Sequence, residues 1–92
     1  MTDPDFEFAV NAASWPQYID NDSKPYFLFQ LLGPDGRAGE VFYREMALVG
    51  SEQIMETMVK AYMQKRKLKV FLDPAAGSHR VASVKLGAPV GP

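Results

Sequence analysis

Few side chains in these 92 residues are of a kind that does chemistry, and their spacing favours contact over catalysis. The sole histidine, His79, precedes Arg80 at the end of a turn; the chain has no cysteine, and no acid stands beside His79 to complete a nucleophilic or metal-binding set. His79 and Arg80 therefore read as turn or interface residues, or as contacts for a bound ligand. Asp20-Asn21-Asp22-Ser23 places oxygens at alternate positions as a calcium loop does, but Pro25 and an apolar run replace the required glycine and distal glutamate, so it reads as a turn. Gly33 to Gly39 holds three glycines without the Gly-Lys-Ser/Thr ending of a phosphate cradle and reads as a hairpin turn. Trp15, the only tryptophan, shares a polar stretch with Tyr18. A loop aromatic of this kind stacks on a sugar or base, or plugs the mouth of the core. No catalytic residue, cofactor site or metal site emerges, and the expectation is a protein that is not an enzyme.

The elements that position these residues follow from periodicity. Phe6, Phe8 and Val10 alternate, the mark of a half-buried strand. Asn11 to Pro25 carries two prolines and a cluster of turn formers and is expected to be a long loop. Tyr26 to Leu32 and Glu40 to Val49, joined across Gly33-Pro34-Asp35-Gly36, read as a strand hairpin. Ser51, with Glu52 behind it, is a helix cap, and the helix is expected to run from Ser51 to about Lys67, with Glu56 and Lys60 as an i,i+4 pair. Leu68 to Leu72 and Val81 to Leu86 supply two more strands around a turn at Asp73-Pro74, and Gly87 to Pro92 reads as a flexible tail.

The fold class expected is mainly β with one helix, in the order β-β-β-α-β-β. That is the chain order of the OB-fold, so a single domain built as a five-stranded OB-fold-like barrel is anticipated, with the loop carrying Trp15 bordering its ligand face. An open antiparallel sheet with the helix across one face has the same order. A chain this small buries only ~60 to 68% of its unfolded surface and has no disulfide to supplement its core, so self-association is a natural source of stability. Net charge is −1, which disfavours a dedicated nucleic-acid binder. The near-neutral sum conceals a division: residues 1 to 50 hold three Lys or Arg against eight Asp or Glu, net −5, and residues 51 to 92 hold seven against three, net +4. Lys65-Arg66-Lys67-Leu68-Lys69 forms part of the basic half. An acidic N-terminus without an apolar segment points to the cytoplasm, or to export if Met1 replaces a removed signal; no apolar run approaches the ~20 residues needed to span a membrane.

On a helical projection Ala61, Ile54, Met58, Tyr62, Met55, Val59 and Met63 cover an arc of about 200°, where a helix on one small core needs just over ~100°. One edge of that arc is expected to face the core and the other a second subunit or a ligand, which makes Met55, Met58, Val59, Tyr62, Met63 and Arg66 the candidate oligomer interface. Three of these are methionines, which also serve as core filler. Tyr26 to Leu32 is apolar on both sides as well, and two apolar faces need two coverings. A homo-oligomer with a carbohydrate or protein ligand is the favoured reading. The alternative is a single-stranded nucleic-acid binder using Phe27, Phe29 and Tyr43 to stack bases and Lys69 or Lys85 to hold phosphates.

Ser51 to Gly87, with its amphipathic helix carrying Ala61-Tyr62, the short strand Lys69 to Leu72 and the closing strand His79-Arg80-Val81-Ala82-Ser83-Val84-Lys85-Leu86, resembles the C-terminal part of the pentameric B subunits of the cholera and heat-labile enterotoxins. The resemblance spans about 37 of the 92 residues. It implies an OB-fold and a ring of subunits, a pentamer, with helices around a central pore. The family's sugar site, a tryptophan and a lysine after the fourth strand, would fall near Asp73-Pro74 and Ala76 and is not present, so ganglioside binding does not carry over.

Overall fold

Six strand segments and one helix make up the computed structural model, which describes residues 3–13, 17–18 (backbone only), 25–75 and 79–91. The segments are β1 (Phe6–Ala13), β2 (Gln17–Tyr18), β3 (Pro25–Leu32), β4 (Ala38–Glu45), α1 (Ser51–Met63), β5 (Arg66–Leu72) and β6 (Val81–Pro89). The class is as expected, mainly β with one helix between the third and fourth long strands. Among the described residues every strand-to-strand ladder is antiparallel: β1 lies between β3 and β5, β4 flanks β3, and β6 flanks β5, while β2 pairs the first residues of β3 on the edge that β1 also occupies.

Alternation builds the core. On β3, Phe27, Phe29 and Leu31 turn inward and are at most 1% exposed, while Tyr26, Leu28, Gln30 and Leu32 lie on the other side. Val10 on β1, Phe42 on β4, Leu68 and Val70 on β5, Val81 on β6 and Ile54, Met58 and Ala61 on α1 complete it. Phe29 and Phe42 stack at 5.4 Å across the hairpin, and Phe6 meets Phe42 edge-on at 5.0 Å. The hairpin turn is closed by Gly33 N–H to Arg37 O at 2.6 Å, with Gly36 at φ 78°, a conformation glycine adopts without steric cost. Gly39 is glycine for a different reason. A Cβ there would sit 2.7 Å from the Leu31 carbonyl oxygen, where the register of β3 and β4 shifts.

Several expected boundaries move. The barrel is not closed: among the described residues one parallel bridge, Tyr43 with Arg80, joins β4 to the segment before β6. Between β4 and the start of β6 a side chain also makes the connection: Arg44 Nη1 donates to Val81 O at 2.7 Å and Ala82 O at 3.3 Å. β1 runs three residues into the expected loop, since Ala12 and Ala13 pair Gln30 and Phe29 and Asn11 Nδ2 donates to Gln30 Oε1 at 2.7 Å. The helix stops at Met63, four residues early. Leu68 and Val70 must both reach the core, and the period-2 alternation this requires draws Arg66 and Lys67 into β5, with Lys65 at φ 53° making the corner. β4 ends at Glu45, leaving Val49 in a turn and 97% exposed. The expected tail is in part strand: β6 continues to Pro89, and Arg66 Nε donates to Gly87 O at 3.0 Å.

Candidate functional site

The wide apolar arc of α1 divides as two packing demands require. Ile54, Met58 and Ala61 turn to the core and are nearly or fully buried. Met55 is half-buried, while Val59, Tyr62 and Met63 are 38%, 54% and 73% exposed. Burying a side chain such as Met58 contributes ~1.5 to 3 kcal/mol, and the exposed members of the arc forgo most of that gain in a single copy.

These exposed side chains do not lie on a flat surface. Between α1 and the end of β1 runs a cleft of about 430 Å³, walled by Met55, Val59, Tyr62 and Met63 on one side and by Ala12 and Ala13 on the other. A second hollow of about 440 Å³ lies beyond Tyr62 and Met63, bounded by Ala9, Val10, Arg66 and Val90. Tyr62 and Met63 thus form a ridge between two hollows. The small Ala12 and Ala13 leave the cleft open, and the extension of β1 past Val10 carries them there. Of the expected interface residues, Met55, Val59, Tyr62 and Met63 come together at this surface with one edge of Met58, itself only 1% exposed. Arg66 lies beside it from β5 and not from the helix.

The expected ligand residues are placed differently. Trp15 and the side chain of Tyr18 lie outside the described residues. His79 Nε2 stands 3.5 Å from Glu40 Oε2, with its ring edge-on to Phe42 at 5.2 Å and Phe6 at 5.9 Å; its backbone carbonyl accepts from Tyr43 N–H at 3.2 Å. Arg80 Nη2 donates to Asp73 Oδ2 at 2.8 Å, and Arg80 Nη1 lies 3.9 Å from Glu45 Oε1. The Arg80 hydrogen bond holds the Asp73 carboxyl below its ordinary value, helped by a bond from Ala75 N–H. His79 and Arg80 therefore tie the turn before β6 to β4. The base-stacking set is not assembled: Phe27 and Phe29 are core residues with 0% and 1% exposure, and no base can reach them. Lys69 and Lys85 face each other across β5 and β6, with Lys85 Nζ 5.8 Å from the Phe71 ring centre.

One polar cluster was not anticipated. Arg44 is buried and donates from Nε to Ser51 Oγ at 2.9 Å, from Nη2 to Val49 O at 2.7 Å and from Nη1 to the carbonyls of β6; Ser51 Oγ in turn donates to Glu45 O at 2.7 Å. Ser51 is therefore not the cap expected of it: Gly50, at φ 86°, holds the cap position, and the serine hydroxyl serves the arginine. The signal was present in the alternation of β4, where Arg44 falls on the same side as Phe42. Burial disfavours the charge and lowers the pKa of Arg44, yet three backbone carbonyls and a hydroxyl satisfy the guanidinium. Among the described residues no group of three His, Cys, Asp or Glu could hold a metal ion, and no helix is long and apolar enough to cross a membrane.

No protein-family model, curated protein or solved structure matches the chain.

Proposed function

We propose that this protein is a non-enzymatic binding or assembly module of the OB-fold type that works as a homo-oligomer through the exposed face of α1. The observation that carries the reading is the unpartnered apolar ridge: Val59, Tyr62 and Met63 stand in water beside the cleft against β1. Contiguous apolar surface of this kind marks contact sites in soluble proteins. The OB-fold part is supported by β1 lying between β3 and β5, by the helix between β4 and β5, and by the parallel bridge at Tyr43 and Arg80. A carbohydrate or a protein is the ligand class in this reading, met at the loop end where His79 is half-exposed.

Native mass spectrometry at micromolar concentration tests the oligomer directly. The expected result is a multiple of the 10.2 kDa chain mass. A ring of the enterotoxin kind gives five copies and a closed pair gives two. Met63→Glu is expected to yield a folded single copy, because Met63 contributes little to the core. Met58→Glu is expected to unfold the chain, since that side chain is 1% exposed. A wild-type chain that stays a single copy overturns the reading.

A further inference from the structure

The charges along α1 say how two copies meet. Glu52 and Glu56 occupy the N-terminal half of the helix, and Lys60 and Lys65 occupy its C-terminal half and exit; all four are exposed, and among the described residues none forms an ion pair, so the expected Glu56 to Lys60 pair is not closed. On the helical projection Glu52 and Glu56 lie next to Val59 and Met63, so the charges rim the apolar ridge. We infer that the face is covered by a second copy of this chain whose α1 runs antiparallel, across a two-fold axis near Val59. The inference rests on the self-association proposed above and adds its geometry.

The argument is one of charge and symmetry. With the helices antiparallel and Val59 of one copy against Val59 of the other, Met55 lies against Met63 of the second copy, Glu56 near its Lys60 on the same flank of the seam, and Glu52 towards the exit of the second helix, where Lys65 follows Met63. Each contact occurs twice, as a two-fold interface requires. A parallel two-fold pairing of the same faces sets Glu52 beside Glu52, which like-charge repulsion opposes, and puts Glu56 and Lys60 on opposite flanks of the seam, where neither meets an opposite charge. Opposed helix dipoles favour the antiparallel arrangement as well. Tyr62 and Met63 of one copy then sit near the cleft beside Met55 of the other, so ridge meets hollow on both sides of the axis.

Because the chain holds no cysteine, single cysteines report the geometry without interference. Val59→Cys, Met55→Cys and Met63→Cys chains are oxidised at micromolar concentration and separated without reductant. Val59→Cys is expected to cross-link to itself. Met55→Cys and Met63→Cys are each expected to cross-link poorly alone and readily when mixed, because two Met55 positions lie about 12 Å apart along antiparallel helices, beyond disulfide reach. Charge reversal gives a second measure that does not depend on cysteine geometry. Glu52→Lys/Glu56→Lys and Lys60→Glu/Lys65→Glu are each expected to self-associate about tenfold more weakly than wild type, and to pair with each other when mixed. Efficient cross-linking of Met55→Cys alone, five copies in native mass spectrometry, or unchanged association of both charge-reversed chains overturns the antiparallel pairing while leaving self-association standing. A wild-type chain that remains a single copy overturns both.

Discussion

Arg44 and Asp73 show how single polar residues hold the ends of this sheet together. The Arg44 guanidinium reaches Ser51 at the start of α1, Val49 in the preceding turn, and Val81 and Ala82 on β6, so one side chain fastens three segments that share no strand ladder. Arg44→Leu leaves those carbonyls without their donor, and each buried orphan costs ~1 to 3 kcal/mol. A loss of about 3 kcal/mol in urea unfolding is expected, with Ser51→Ala milder because the arginine keeps its other acceptors. A loss under about 1 kcal/mol would mean that water replaces the guanidinium. Asp73 acts from the surface. Its carboxyl is held below the ordinary value of 3.8 first by the Arg80 hydrogen bond and then by Ala75 N–H, so the folded state favours the ionised form. A lowered folded value stabilises the protein above the unfolded value and loses that contribution as pH falls through the folded one. The stability of wild type should exceed that of Asp73→Asn at neutral pH, and the gap should close as pH drops below about 4, as chemical denaturation at several pH values would show. A gap independent of pH would remove the ion pair from the account.

At the scale of elements, periodicity named every long segment but misjudged where several end. β5 and the helix exit illustrate the reason. Lys65, Arg66 and Lys67 suit the last turn of a helix by charge and propensity, and nothing local forbids it. What ends α1 at Met63 is the demand of Leu68 and Val70 for full burial beside β1 and β6, to which Arg66 must already be aligned. The same competition extends β1, where the Asn11 to Gln30 hydrogen bond and two alanines suit a strand edge although the composition reads as loop. The split of the α1 face follows from these ends. A helix stopping at Met63 places Tyr62 and Met63 at its exposed final turn, and this is why Met63→Glu and Met58→Glu should differ so sharply in outcome.

For the molecule as a whole, a small core meets more apolar surface than it can cover. Tyr62, Met63, Val59, Val90 and Val41 are all more than a third exposed, and the first four gather around α1 and the neighbouring strand ends. If that surface is buried between copies, folding is linked to association and the thermal midpoint depends on concentration. Raising the protein from 1 to 100 micromolar should shift the wild-type midpoint upward by several degrees and leave Met63→Glu unmoved, as scanning calorimetry or circular dichroism would record; an unmoved wild type would mean that single copies are the species that unfolds.

The sequence by itself determined what depends on local alternation and composition: the β-rich class, one helix between the third and fourth long strands, the grouping of Phe27, Phe29 and Leu31 on one side of their strand, the hairpin turn at Gly33 to Gly36, and a helix with more apolar face than one core needs. These features need only neighbours within a few residues. Tertiary structure decided what depends on which segments meet: that Phe27 and Phe29 are core and unavailable for stacking, that Arg66 is strand, that His79 and Arg80 brace a turn, and that the buried Arg44 guanidinium ties β4 to the start of β6. Each of these turns on a contact between residues far apart in the chain, where burial and hydrogen bonding outweigh local preference.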